Sequence, residues 1–253
     1  MPWSSWDATG DVQQVDNKAL FEFDINGFIC VRNVLDAATV ERMNSALEAS
    51  ESFHSDLHGP GRDGTRFKFG HVDPMFMELM EQPTMLAFLR EIMGEWFRLD
   101  HTTGIAMSSD RHAKGAPWEV LENLHGGEKG DQGEHHYQYH QGRIYNNLTV
   151  IMFMLADVNP GDGGFTCIPG SHKANHPWPD EVYPHSLLAS SHLVHQPSLK
   201  KGDMLIFTEA LVHGTTYWTG EQDRRLVSFK FCPGHVQCES PLHSCPPAGY
   251  IDI

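Results

Sequence analysis

The chain has 253 residues, of which 40% are hydrophobic and 20% charged, and a formal net charge of -15. That length supports a sizeable core, and the balance is that of a globular rather than a disordered protein. The acidic field disfavours nucleic acid and anionic membrane surfaces as principal partners.

The first residues, "MPWSSWDATGDVQQVDN", have no basic start and no apolar stretch, so they do not read as a secretory signal. No apolar run approaches the ~20 residues of a membrane span. The five cysteines include no CxxC pair, which suits a reducing compartment. The expected location is cytoplasmic. No repeat or low-complexity linker interrupts the sequence, and a single domain over residues 1–253 is the simplest organisation.

"GFICVRNVL" (Gly27 to Leu35) is β-rich and runs into Asp36, a good helix N-cap. Val40, Met43 and Leu47 then recur at helical spacing and predict an amphipathic helix over about residues 37 to 51. Pro83 precedes a second one, in which Phe88, Leu89, Ile92, Met93 and Trp96 form one core-facing stripe within Met85 to Phe97. The second half changes character. "LTVIMFML" (Leu148 to Leu155) is a continuous apolar run of β-formers, long enough for a strand buried on both faces. "NPGDGG" (Asn159 to Gly164) is turn chemistry, and "FTCIPG" is a short strand after it. Met204 to Val212 predicts a strand with His213 at its far end, and "RRLVSFKFCP" a last strand closed by Pro233. Helices followed by short strands and Gly/Pro turns predict a mainly β fold with flanking helices, an antiparallel barrel or jelly roll.

Histidines carry the chemical signal. A mononuclear non-haem iron site needs ligands on one side of the metal, commonly two histidines and a carboxylate. His213, at the end of an apolar run and before Gly214, is the best late histidine. Arg224 lies 11 residues further on. A strand, a turn and a return strand would bring its guanidinium back beside His213, able to grip a carboxylate in a bidentate fork.

The blocks "NGFICVRNVLDAATVERM", "GDGGFTCIPGSHKAN" and "GDMLIFTEALVHGTTYWTGEQDRRLVSFKF" resemble the phytanoyl-CoA dioxygenase (PhyH-like) family of iron(II)/2-oxoglutarate-dependent oxygenases. The resemblance runs from about Leu20 to Phe231. It implies a double-stranded β-helix (jelly roll, cupin-like) and Fe(II), 2-oxoglutarate and O2 as cofactors and co-substrate. By position it implies His213 as the distal iron ligand and Arg224 as the partner of the far carboxylate of 2-oxoglutarate. Thr215 matches a hydroxyl that assists Arg224.

The proximal motif departs from that family. Its members mostly carry His-x-Asp, whereas this chain has His125-Gly126-Gly127-Glu128. His125, ahead of a glycine pair that permits close backbone approach, is the expected proximal ligand. His140 in "HHYQYHQG" is its rival, although that segment reads better as a polar hairpin or lid. The third position is then open at Gly127, holding water or chloride, or it is taken by Glu128, or by Asp131 or Glu134 from the loop. Iron(II)/2-oxoglutarate halogenases are known for such a His-x-Gly motif.

The expected activity is hydroxylation of an unactivated C–H bond of a small molecule. Halogenation is the first alternative, and the two differ in which group the substrate carbon captures. A non-catalytic barrel that holds a small carboxylate on Arg224 is the second alternative. Ser171 and His172 of "PGSHK" are expected to form hydrogen bonds near the site rather than ligate metal.

Overall fold

The computed structural model describes residues 4–8, 14–58, 66–108, 121–126, 136–176, 192–216 and 218–236. Asp7 ends a short first strand, β1 (Ser5–Asp7). Helix α1 (Asn17–Asn26) follows, capped by the Asp16 carboxylate on the Ala19 N–H. Then come β2 (Phe28–Arg32) and α2 (Ala37–Glu48), the latter capped by Asp36 as the sequence predicts. The predicted helix breaks earlier than expected, and α3 (Glu51–His58) continues as a separate piece. A two-residue strand, β3 (Arg66–Phe67), leads to α4 (Pro74–Glu78) and α5 (Pro83–Met93).

Helix α5 also ends sooner than its apolar stripe suggests. Gly94 caps it, β4 (Phe97–Met107) begins three residues later, and Trp96 is 86% exposed rather than in the core. Phe88, Leu89 and Ile92 are fully buried as expected.

The remaining strands are β5 (Leu121–His125), β6 (Tyr137–His140), β7 (Arg143–Asn146), β8 (Thr149–Met154), β9 (Gly164–Cys167), β10 (Met204–Thr208), β11 (His213–Thr216) and β12 (Arg224–Pro233). One sheet runs β1-β2-β10-β8-β12-β4-β3, and a smaller one runs β5-β11-β9. They face each other as a jelly roll around an apolar interior that includes Phe28, Val150, Met152, Phe165, Leu205, Phe207 and Leu226. The other face of the large sheet carries Ile151, Phe153, Ile206, Val227 and Phe229 against the helices. Strands β8 and β10 are therefore buried on both faces, which is why they read as unbroken apolar runs.

Two expectations about chain direction change here. The strand from Met204 stops at Thr208, the chain turns, and His213 begins β11 instead of ending β10. Strand β12 does not return beside β11 either. It lies between β8 and β4 in the opposite sheet, so His213 and Arg224 look at each other's layer across the interior. "HHYQYHQG" does form a hairpin, β6–β7. Tyr137 anchors it by donating to Asp24 of α1 at 2.8 Å.

Candidate active site

His125 and His213 sit opposite each other in the antiparallel β5–β11 pair, so their side chains leave the same face. Their ring centroids are 4.1 Å apart. Gly126 explains part of the local sequence. Its φ is +89°, and a Cβ there would run into the Leu211 carbonyl. The chain after His125 thus passes directly under the β10–β11 turn, which is the close approach the glycine pair suggests.

That turn is held from several sides. Leu211 N–H closes it on the Thr208 carbonyl at 2.9 Å. The Thr208 hydroxyl donates to Asn146 at 2.7 Å, and Asn146 donates to Thr149 at 2.7 Å. Val212 N–H donates to the Ser171 hydroxyl at 2.8 Å. Ser171 therefore supports the residue next to His213, in line with the reading of "PGSHK".

His213 is buried, stacked against Phe165 and edge-on to Phe207. Its Nδ1–H donates to the Leu211 carbonyl at 2.7 Å, which leaves the Nε2 lone pair facing the site. Burial lowers its pKa to about 4, so the ring is neutral at pH 7 and fit to act as a ligand.

The structure adds a residue that the sequence reading did not consider. Glu209, in the turn between β10 and β11, is 4% exposed. Its Oε1 lies 3.4 Å from His125 Nε2 and 3.9 Å from His213 Nε2. The three donor atoms fall within 4.8 Å of one another, a spacing suited to one metal ion. Oε2 lies 3.0 Å from the Lys230 ammonium of β12. Burial alone would raise the Glu209 pKa, but Lys230 and the two imidazoles outweigh it, and the carboxyl is held well below its usual range. A signal was present: Glu209 is the only charged residue from Met204 to Val212, and a carboxylate inside a buried run rarely lacks a task.

Arg224 is 1% exposed. Its Nη1 touches the Met107 sulfur at 3.2 Å, and its Nε has no hydrogen-bond partner among the described residues. Gly164, at φ +87°, makes room for it, since a Cβ there would meet the guanidinium. Burial lowers the Arg224 pKa to about 10 without discharging it at neutral pH. A buried guanidinium is costly unless it is paired, so Arg224 is chemically suited to receive an anion. Arg225 points the other way, to Glu48 and over the Phe53 ring. Thr215 follows His213 by two residues on the same strand face and pairs with Phe165.

His140 is exposed on the β6–β7 hairpin and is not brought to His213. Gly127, Glu128, Asp131 and Glu134 lie outside the described residues.

His172 has a structural role. Its Nε2–H donates to the Asp24 carbonyl at 2.9 Å, while Nδ1 is buried without a hydrogen-bond partner among the described residues. Burial lowers its pKa to about 4. A folded-state pKa below the unfolded value of ~6.5 means that stability is full above pH 6.5 and lost as the pH falls from 6.5 towards 4. The loss attributable to His172 is about 3 kcal/mol. Urea midpoints of the metal-free protein are therefore expected to fall across that window, and His172→Gln to flatten the fall. An unchanged slope in the variant would contradict this account.

The fold and its matches define the class: non-haem iron/2-oxoglutarate-dependent enzymes. More narrowly, the chain belongs to the phytanoyl-CoA dioxygenase (PhyH) family, whose model matches residues 23–226. HygX from Streptomyces hygroscopicus, solved with nickel and 2-oxoglutarate bound, is similar at a TM-score of 0.73 and 28% identity over 88% of this chain and 89% of that one. The iron-bound form of HygX gives a TM-score of 0.71 at 26% identity, again over 88% and 89%. SnoN, a non-haem α-ketoglutarate-dependent epimerase from nogalamycin biosynthesis, shares the fold at a TM-score of 0.63 and 17% identity, over 94% of this chain and 91% of that one. No curated protein sequence matches the chain. No helix among the described residues is long and apolar enough to cross a membrane.

Proposed function

We propose that the chain is a single iron(II)/2-oxoglutarate-dependent oxygenase domain that hydroxylates a C–H bond of a small molecule. In this reading His125 and His213 hold the iron. Arg224 holds the far carboxylate of 2-oxoglutarate, and Thr215 assists it from the adjoining strand. Bound iron would supply activation of O2. The protein's own residues keep two imidazoles on one face, fix the co-substrate's orientation by a bidentate pair, and exclude water with the apolar interior.

The observation that carries the reading is Arg224: a fully buried cation whose Nε is unpartnered among the described residues, in the layer facing the imidazole pair. A structural arginine at that depth would be expected to come with its anion. HygX gives support, since its solved forms contain 2-oxoglutarate, iron or nickel, and hygromycin B.

The test is stoichiometric. With iron(II) and air, each substrate C–H converted to C–OH should consume one O2 and one 2-oxoglutarate and yield one succinate and one CO2. Even without the substrate, slow iron-dependent conversion of 2-oxoglutarate to succinate is expected. No succinate from iron-loaded protein would reject the reading and favour a carboxylate-binding barrel.

A further inference from the structure

We propose that Glu209 is the third protein ligand of the iron and that Lys230 is the positioning residue that orients it. The inference rests on the iron-site reading above and goes beyond it by assigning the position that Gly127 leaves without a side chain.

Lys230 requires only one carboxylate oxygen, and Oε2 supplies it at 3.0 Å. Oε1 lies 3.4 Å from His125 Nε2, which hydrogen-bonds to the carboxylate, and 3.9 Å from His213 Nε2, which has no proton to offer it. His213 donates from Nδ1 to the Leu211 carbonyl, so the atom it turns to Glu209 is an electron-rich Nε2. A lone pair held against an ionised oxygen in a buried setting is unfavourable unless a cation lies between them. A divalent metal meets that need, and two imidazoles with one carboxylate are the set that non-haem iron takes.

Placement explains why the carboxylate can move. In the His-x-Asp arrangement it projects from just beyond the proximal histidine. Here it projects from the β10–β11 turn, four residues before His213. That turn is pinned to Leu148 by the Glu209 N–H at 3.0 Å and to Ser171 by Val212. The donor is thus set on a rigid corner rather than on a loop. Because Lys230 holds Oε2, one oxygen is left for the metal. The remaining positions stay available to 2-oxoglutarate and O2. With the third protein position filled, no vacancy is left for a halide, so the site is built for oxygen transfer and not for halogenation.

The experiment uses the full chain under anaerobic conditions. Iron(II) affinity is measured for wild type, Glu209→Gln, Glu209→Ala and the double variant Glu209→Ala/Lys230→Met. The double variant removes the pair together and leaves no uncompensated buried charge. Circular dichroism and a melting curve report the fold of each. At least a tenfold loss of iron affinity is expected in every folded Glu209 variant, with partial recovery in Glu209→Ala when formate is added. Chloride titrated into the iron–2-oxoglutarate complex should leave the wild-type absorption band in place and shift that of Glu209→Ala. Lys230→Met alone should retain iron but blur its electron paramagnetic resonance signature after nitric oxide addition, as the carboxylate loses its fixed orientation.

Wild-type iron affinity in the Glu209 variants, or a chloride-induced band shift in wild type, overturns the assignment while leaving the iron-site reading intact. Absence of iron binding in wild type overturns both.

Discussion

Replacing His213 by alanine is expected to abolish succinate formation and to weaken iron(II) binding by at least a hundredfold, about 2.7 kcal/mol. The ring is buried, neutral and aimed: its Nδ1–H is fixed on the Leu211 carbonyl, so its Nε2 has no other duty. Alanine removes the proposed ligand and leaves a small space beside Phe165 and Phe207, which lie on the site's wall and not at the centre of the helix-side core. The melting temperature of the metal-free variant should therefore stay within a few degrees of wild type, or rise, because protonation of a buried imidazole no longer opposes folding at acid pH. His125→Ala should behave alike in iron binding and turnover. His140→Ala should remain at the wild-type level, since His140 is exposed on the β6–β7 hairpin. Full activity in His125→Ala with loss in His140→Ala would move the proximal ligand to the hairpin.

Arg224→Met is expected to separate binding from stability. Loss of one partner of a buried, hydrogen-bonded charge pair costs ~3–5 kcal/mol, more than a hundredfold in the dissociation constant of 2-oxoglutarate. Iron binding without 2-oxoglutarate should hardly change, because Arg224 is not among the clustered donors. The metal-free protein should become more stable, not less. Methionine fills the space beside Met107 and Gly164 without burying a charge whose Nε lacks a partner among the described residues. The measurement is a pair of melting curves with and without 2-oxoglutarate. Wild type should show a ligand-induced rise that Arg224→Met lacks, from a higher starting point. An equal ligand-induced rise in the variant would show that another cation receives the carboxylate. Arg225 is poorly placed for that, being engaged with Glu48 on the helix side of the sheet.

By itself the sequence determined the parts of this protein that are local or carried by contiguous blocks. The caps at Asp36 and the apolar stripe of Phe88, Leu89 and Ile92 were legible because helix signals act within a few residues. Strand β8 was legible because burial on both faces leaves no polar alternation. His213 and Arg224 were singled out by a motif and its spacing. The tertiary structure decided what depends on register and on which sheet a strand joins. Apolar residues continue through the β10–β11 turn because it too is buried, so the composition of Met204 to Val212 hides the break at Thr208. Arg224 reaches the site from the facing layer because β12 is inserted between β8 and β4, a choice made by long-range pairing. Glu209 joins His125 for the same reason. The register that sets His125 opposite His213, together with Gly126 passing under the turn, brings His125, remote in sequence, to the carboxylate and imidazole of the Glu209–His213 turn.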